Sequence, residues 1–112
     1  MATSVDNLKV IMDLANRIAE RRTASADASY TARLLLEGVP KCAKKFGEEA
    51  VELALAAVMA DRSQIRSEAA DALYHLLVLL EATGVPLSDV LTELAGRMKQ
   101  TGIEEKTSRK RP

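Results

Sequence analysis

The chain has 112 residues, of which 47% are hydrophobic and only 3% aromatic, and its 16 basic and 16 acidic side chains cancel. This length suits one domain with a modest core, and the zero net charge excludes an overall field that would select nucleic acid or an anionic membrane as partner. A core of Leu, Ala, Val and Met with few rings favours close-packed helices over sheets. We therefore expect an all-α domain.

The first half of the chain predicts three helices. Apolar residues that recur at intervals of three and four predict a helix over about residues 6–22. The small, polar stretch TASADASY predicts a loop, in which Ser29 caps a short helix, YTARLLLE, that Gly38 ends. Pro40 suits the start of the next helix, which we expect to run to about Ala60.

The second half predicts two more helices and a tail. Asp61 and Gln64 resemble a capping box that opens a long helix ending at Gly84, and Pro86 begins a last helix through about Met98. The interpretation is a bundle of four main helices, with residues 1–100 as one domain and 101–112 as a tail. The tail's basic end, SRKRP, lacks the aromatics of a nucleic-acid site, so we expect a solvated end.

We expect neither a secretory signal nor a membrane-spanning helix from this sequence. The N-terminus MATSVDNLKV does not resemble a secretory signal, and the longest apolar run, LYHLLVLL, is far shorter than the roughly 20 residues of a spanning helix. The single cysteine, Cys42, suits a reducing compartment and is expected to be a small buried residue rather than a nucleophile. These features favour a cytoplasmic protein without a membrane partner.

Three glutamates interrupt the apolar sequence GEEAVELALAAVMA. On a helical projection Glu48, Glu49 and Glu52 share an arc of roughly 100°. The residues from 53 to 60 are apolar in every direction, so we expect that part of the helix to be buried and the glutamates to border a dry region.

A second acidic stripe lies on the following helix. Gln64, Glu68, Asp71 and His75 are each three or four residues apart and share a face. If the two stripes face each other, five carboxylates come together, and a divalent cation would relieve their repulsion. Ligands that are all oxygen indicate a hard ion, Mg²⁺ or Mn²⁺. The alternative is that these acids form a solvated helix face.

Basic and polar residues near the stripes are candidates for phosphate binding. Lys41, Lys44 and Lys45 precede the glutamates by one to two turns and either bind phosphates or serve solubility. His75 either contacts substrate or is an ordinary core histidine. A magnesium cluster beside such groups suits pyrophosphate chemistry, with a free carboxylate to accept the proton of the attacking water.

The combination of EEAVE at 48–52 with EAAD at 68–71 resembles the EExxE and ExxD signature of the all-α nucleoside-triphosphate pyrophosphatases. The segments SYTARLLLEGVPKCAKKFGEEAVELALAA, EAADALYHLLVLL, GVPLSDVLTEL and TGIEEKTSR narrow this resemblance to the phosphoribosyl-ATP pyrophosphatase family, over about residues 8–109. The resemblance implies hydrolysis of phosphoribosyl-ATP to phosphoribosyl-AMP and pyrophosphate, the second step of histidine biosynthesis, with Mg²⁺. It also implies a homodimer whose helices complete a shared bundle.

Residue roles follow from the same resemblance. It implies metal binding by four acids: Glu49, Glu52, Glu68 and Asp71. Glu48 is then a ligand of a further ion or a base that orients water, and the two roles stay open. The phosphate on the added ribose needs an anion site, for which Arg33, Tyr30 and the helix start at Ser29 are candidates; alternatively, Tyr30 and Arg33 only dock the short helix.

Two other functions are compatible with the sequence. One is a house-cleaning pyrophosphatase that acts on another nucleotide with the same metal site and a different base pocket. The other is a non-enzymatic helical dimerisation module whose acids form a solvated face.

Overall fold

The computed structural model describes residues 4–99, and the side chains of residues 7–99. Its five helices are α1 (Ser4–Glu20), α2 (Tyr30–Glu37), α3 (Val39–Val58), α4 (Arg62–Thr83) and α5 (Leu87–Arg97). A short 3-10 turn at Arg21–Thr23 follows α1. No strand occurs within residues 4–99, which confirms the all-α prediction. The tail predicted over 101–112 lies outside the described residues.

Local signals set most of the helix ends. The Ser29 hydroxyl accepts a hydrogen bond from the Ala32 N–H at 3.2 Å, which caps α2. Gly38, with φ of +94°, ends α2, and Gly84, with φ of +76°, ends α4. An L-residue rarely adopts such φ values, so glycine suits both positions. These three positions confirm the helix boundaries predicted from the sequence.

The capping box predicted at the start of α4 is only half formed. The Asp61 carboxylate accepts a hydrogen bond from the Gln64 N–H at 3.1 Å, as expected. The Gln64 side chain, however, donates to the Glu68 carboxylate at 3.0 Å. In a complete capping box the Gln64 amide oxygen would accept a hydrogen bond from the Asp61 N–H. Here the Gln64 side chain contacts the acidic stripe through its NH2 group instead.

The core is small and joins the first four helices. Its buried members are Ile18, Leu34, Cys42, Leu77 and Val78. The Cys42 thiol is 1% exposed and donates to the Leu34 carbonyl at 3.3 Å. Burial raises the pKa of this thiol, and nearby Glu37 adds to the effect. Cys42 is therefore a small buried residue rather than a nucleophile, as predicted.

The second half of α3 contradicts the prediction that it is buried. Ala56 is buried, but Leu55, Val58 and Met59 are 60%, 83% and 77% exposed. A helix that is apolar on all sides needs packing partners on all sides, and among residues 4–99 only α4 packs closely along most of α3. Large apolar side chains on this part of α3 therefore remain exposed within residues 4–99.

The last helix turns away from the one before it. The axes of α4 and α5 are bent by 111° at their short connection. The Cα radius of gyration is 16.1 Å, whereas a compact chain of about 100 residues has about 13 Å. Among the described residues no single helix is long and apolar enough to span a membrane, although α4 and α5 together have the length and composition of a bent span.

Candidate metal centre

Three carboxylates predicted as metal ligands converge between α3 and α4. Glu49 on α3 and Glu68 and Asp71 on α4 each place a carboxylate oxygen within 4.8 Å of the other two. The two helices form the most closely packed pair in the described part of the chain. Residues early on α3 lie beside residues late on α4, so the helices are antiparallel. The two acidic stripes therefore face each other, as the sequence predicted.

Glu68 is the carboxylate most affected by this convergence. Its Oε1 accepts the Gln64 amide, but its Oε2 is buried and has no hydrogen-bond partner within residues 4–99. Loss of water raises the pKa of Glu68, and the hydrogen bond from Gln64 opposes this effect. A side-chain hydrogen bond with Glu52 and the charges of Glu52 and Asp71 raise the pKa further. A buried oxygen without a partner is costly, so this atom calls for a ligand.

The other two glutamates of α3 lie at the edge of this group. Glu52 is exposed and raises the pKa of Glu68 through a side-chain hydrogen bond and its charge, but it is not one of the three carboxylates whose oxygens all lie within 4.8 Å of one another. Glu48 is exposed and forms an ion pair with the Lys45 ammonium, with an N–O distance of 3.5 Å. Both side chains are therefore exposed, so that water or substrate can reach them.

The donor set fits a hard divalent cation. Glu49, Glu68 and Asp71 offer only carboxylate oxygens, and no thiol or imidazole belongs to the group. Mg²⁺ and Mn²⁺ prefer such ligands and retain several water molecules, which a centre open on one side permits. The unpartnered Oε2 of Glu68 supplies a structural reason for an ion at this place.

An aromatic and basic group lies at one end of the acidic cluster. The His75 ring is 6% exposed and stands edge-on to Tyr30, with 6.3 Å between ring centroids. Burial lowers the pKa of His75, and the nearby Lys45 charge lowers it further. The pKa of Lys45 is raised first by Tyr30 and then by Glu48 and Glu49, against partial desolvation. The structure therefore brings Tyr30, Lys45 and His75 together.

The remaining predicted phosphate ligands are not part of this group. Lys41, Lys44 and Arg33 are exposed. Among the described residues none of the three forms an ion pair or a side-chain hydrogen bond. Their assignment to phosphate therefore stays a prediction.

Sequence reasoning did not single out Tyr74, which packs against His75 with 4.9 Å between ring centroids. Its hydroxyl also forms a hydrogen bond with the Thr31 hydroxyl on α2. The chain has two tyrosines and one histidine, and both tyrosines contact that histidine. The rarity of aromatic residues was the signal that could have identified this contact. Tyr74 and Thr31 thus attach α2 to the site.

The sequence matches a known protein family. The model of the family described as phosphoribosyl-ATP pyrophosphohydrolase matches residues 11–98. A protein of Paracoccus denitrificans named phosphoribosyl-ATP pyrophosphatase is 58% identical over 97 residues, covering 87% of this chain and 90% of that protein.

Two further relatives carry the same name. The protein of Azorhizobium caulinodans is 56% identical over 101 residues, which cover 90% of this chain and 93% of that protein. The protein of Ruegeria pomeroyi is 52% identical over 102 residues, which cover 91% of this chain and 97% of that protein. The match of the family model includes every residue of the acidic cluster. The chain belongs to the phosphoribosyl-ATP pyrophosphohydrolase family.

Proposed function

We propose that this chain hydrolyses phosphoribosyl-ATP to phosphoribosyl-AMP and pyrophosphate, the second step of histidine biosynthesis, with residues 1–100 as the pyrophosphatase domain. Family membership supports the reaction. The observation that carries the proposal is the convergence of Glu49, Glu68 and Asp71 around a buried, unpartnered carboxylate oxygen. The free thiol of Cys42 is compatible with a reducing compartment, and we place the reaction in the cytoplasm.

The proposed cofactor is Mg²⁺, with Mn²⁺ as the alternative ion. Glu49, Glu68 and Asp71 would hold it, and Glu52 lies close enough to Glu68 to join them. When bound, the ion would neutralise phosphate charge and lower the pKa of a water molecule that attacks phosphorus. A carboxylate outside the ligand set would accept the proton of that water, and Glu48 is the free candidate beside the cluster.

The basic group provides donors for the phosphates. The Lys45 ammonium and the His75 imidazole lie beside the acidic centre, and Tyr30 adds a phenol hydroxyl. Hydrogen bonds from such donors to phosphate oxygens are stronger when the partner is charged. Lys41, Lys44 and Arg33 are proposed to bind outer phosphates or the phosphate on the added ribose, at the rim of the site.

A substrate panel separates this proposal from a house-cleaning pyrophosphatase. Release of pyrophosphate would be measured from phosphoribosyl-ATP, ATP, dCTP and dUTP under identical conditions with Mg²⁺. We expect kcat/KM to favour phosphoribosyl-ATP by about 10²-fold or more, because a site built to bind the added ribose phosphate leaves polar groups unpaired with other nucleotides. A preference for one of the common nucleotides would overturn the proposed substrate.

The exposed apolar face of α3 supports a homodimer. Val51, Ala54 and Val58 lie within a 60° arc of α3, and the two valines are 59% and 83% exposed. A stripe of this kind is typical of a helix that packs against another chain. We propose that a second copy covers it and completes the bundle.

Introduction of a charge on this face tests the dimer. The mass in solution would be measured by light scattering for the wild type, for Val58→Asp and for the control Ser67→Glu on the exposed side of α4. We expect dimers for the wild type and the control, and a monomer for Val58→Asp, because a buried unpaired carboxylate is costly. A monomeric wild type, or a dimeric Val58→Asp variant, would contradict the proposed interface.

A further inference from the structure

The chemical character of the side chains that line the crevice between α3 and α4 changes along its length. The three converging carboxylates lie in the middle. Tyr30, Lys45 and His75 lie towards the start of α3. An open groove towards the end of α3 is lined by Leu55, Ala56 and Met59 together with Glu52, Asp61, Gln64 and Glu68. One end of the crevice is therefore basic, and the other is apolar with acidic edges.

The basic end has the properties of a phosphate subsite. His75 is only 6% exposed, and its Nδ1 has no hydrogen-bond partner within residues 4–99. The Lys45 ammonium acts on the pKa of this imidazole and forms an ion pair with Glu48. An ammonium, an imidazole nitrogen and a phenol hydroxyl at one place suit the oxygens of a phosphate.

The apolar end has the properties of a site for a flat ring. Its volume is about 440 Å³, which is within the range of small-molecule sites. Leu55 and Met59 are 60% and 77% exposed along this groove. Methionine adapts to flat rings, and the carboxylates of Glu52 and Asp61 would repel a phosphate placed here. The groove therefore accepts an uncharged aromatic ring better than an anion.

We propose that the nucleotide lies along the crevice in one direction. The departing pyrophosphate occupies the end formed by Lys45, His75 and Tyr30, and the nucleoside half occupies the groove of Leu55 and Met59. This inference rests on the proposed function for the identity of the substrate. It adds the direction of binding, and it assigns pyrophosphate affinity and nucleoside affinity to different residues of the crevice.

The two product halves can be tested separately. Binding of inorganic pyrophosphate and of AMP, each with Mg²⁺, would be measured by calorimetry on the full chain. Lys45→Met is expected to weaken pyrophosphate binding about tenfold, as for the loss of one charge-assisted hydrogen bond, and to leave AMP binding within about twofold. Met59→Ala is expected to weaken AMP binding about fivefold and to leave pyrophosphate binding within about twofold.

Further variants distinguish a specific loss of ligand binding from misfolding. His75→Phe keeps the ring and removes the polar atom, so we expect weaker pyrophosphate binding, whereas His75→Asn keeps a polar atom near the Nδ1 position and should retain more of it. Lys9→Met on α1 is the control for loss of a lysine and should change the affinity for neither ligand. Circular dichroism would verify the helix content of each variant.

The contradicting outcomes are distinct from failure of the proposed function. If Lys45→Met weakens AMP but not pyrophosphate, the nucleotide lies in the opposite direction. Equal losses of both ligands in each variant, unchanged affinities in all of them, or no binding of pyrophosphate to the wild type at millimolar concentration would also overturn the inference. Turnover of phosphoribosyl-ATP by the wild type decides the substrate, whichever direction these binding measurements support.

Discussion

Replacing Glu68 by glutamine is expected to lower the kcat for pyrophosphate release by about 10³-fold, because the charge stabilisation lost with a metal ligand amounts to several kcal/mol. Glu68 combines the buried, unpartnered Oε2 with proximity to Glu49 and Asp71. Glu49→Gln and Asp71→Asn should have effects of the same order. Each change retains the size of the side chain, so the helices should still form, as circular dichroism would verify.

Thermal melting of the same variants supplies a readout that does not depend on turnover. Addition of Mg²⁺ should raise the Tm of the wild type, because an ion that binds only the folded state stabilises it. This rise should be largely absent in Glu68→Gln. Without divalent ions the variant should be at least as stable as the wild type, since one member of a crowded group of carboxylates has become neutral.

Asp13→Asn, an exposed position on α1, is the matched control for these substitutions. It should retain both the turnover and the Mg²⁺-dependent rise in Tm. Near-wild-type turnover in all three cluster variants would exclude the metal assignment and favour the interpretation of the acids as a solvated face.

Leu34→Ala is expected to reduce the free energy of unfolding by about 2–5 kcal/mol, the range for removing a large buried side chain. Leu34 is 1% exposed and belongs to the core cluster that joins α2 to the other helices. Its carbonyl also accepts the Cys42 thiol. Because small domains are stable by only about 5–15 kcal/mol, the loss is a large share of the total. Urea denaturation followed by circular dichroism measures it.

Leu36→Ala on the same helix is the matched control for Leu34→Ala. Leu36 is 77% exposed, so its truncation should change the free energy of unfolding by less than about 0.5 kcal/mol. If the two substitutions reduce the free energy of unfolding by the same amount, the face of α2 that packs on the core would be wrongly assigned.

Much of the secondary structure could be predicted because its signals are local. The cap at Ser29 and the stop at Gly84 each depend on a few neighbouring residues, and both occur where expected. The capping box predicted at Asp61 was only half right, because the Gln64 side chain hydrogen-bonds to the Glu68 carboxylate four residues along the helix rather than to the Asp61 N–H.

Burial was less predictable than helix formation. The apolar run after Glu52 was expected to be covered, yet Val58 and Met59 are among the most exposed apolar residues. Periodicity reports that a surface needs a partner, but it does not report whether the same chain supplies one. Within residues 4–99 the partner of this surface is absent.

The sequence alone determined the all-α class and the two acidic stripes, since residues three and four apart share a helix face wherever the helix lies. The tertiary structure decided which acids meet, because that depends on the rotation and antiparallel docking of α3 against α4. It brings Glu49 together with Glu68 and Asp71 and places Glu52 beside Glu68. It also places His75 between two tyrosines that lie 44 positions apart in the chain, at 30 and 74. Contacts over such separations arise from packing between helices, which no local pattern encodes.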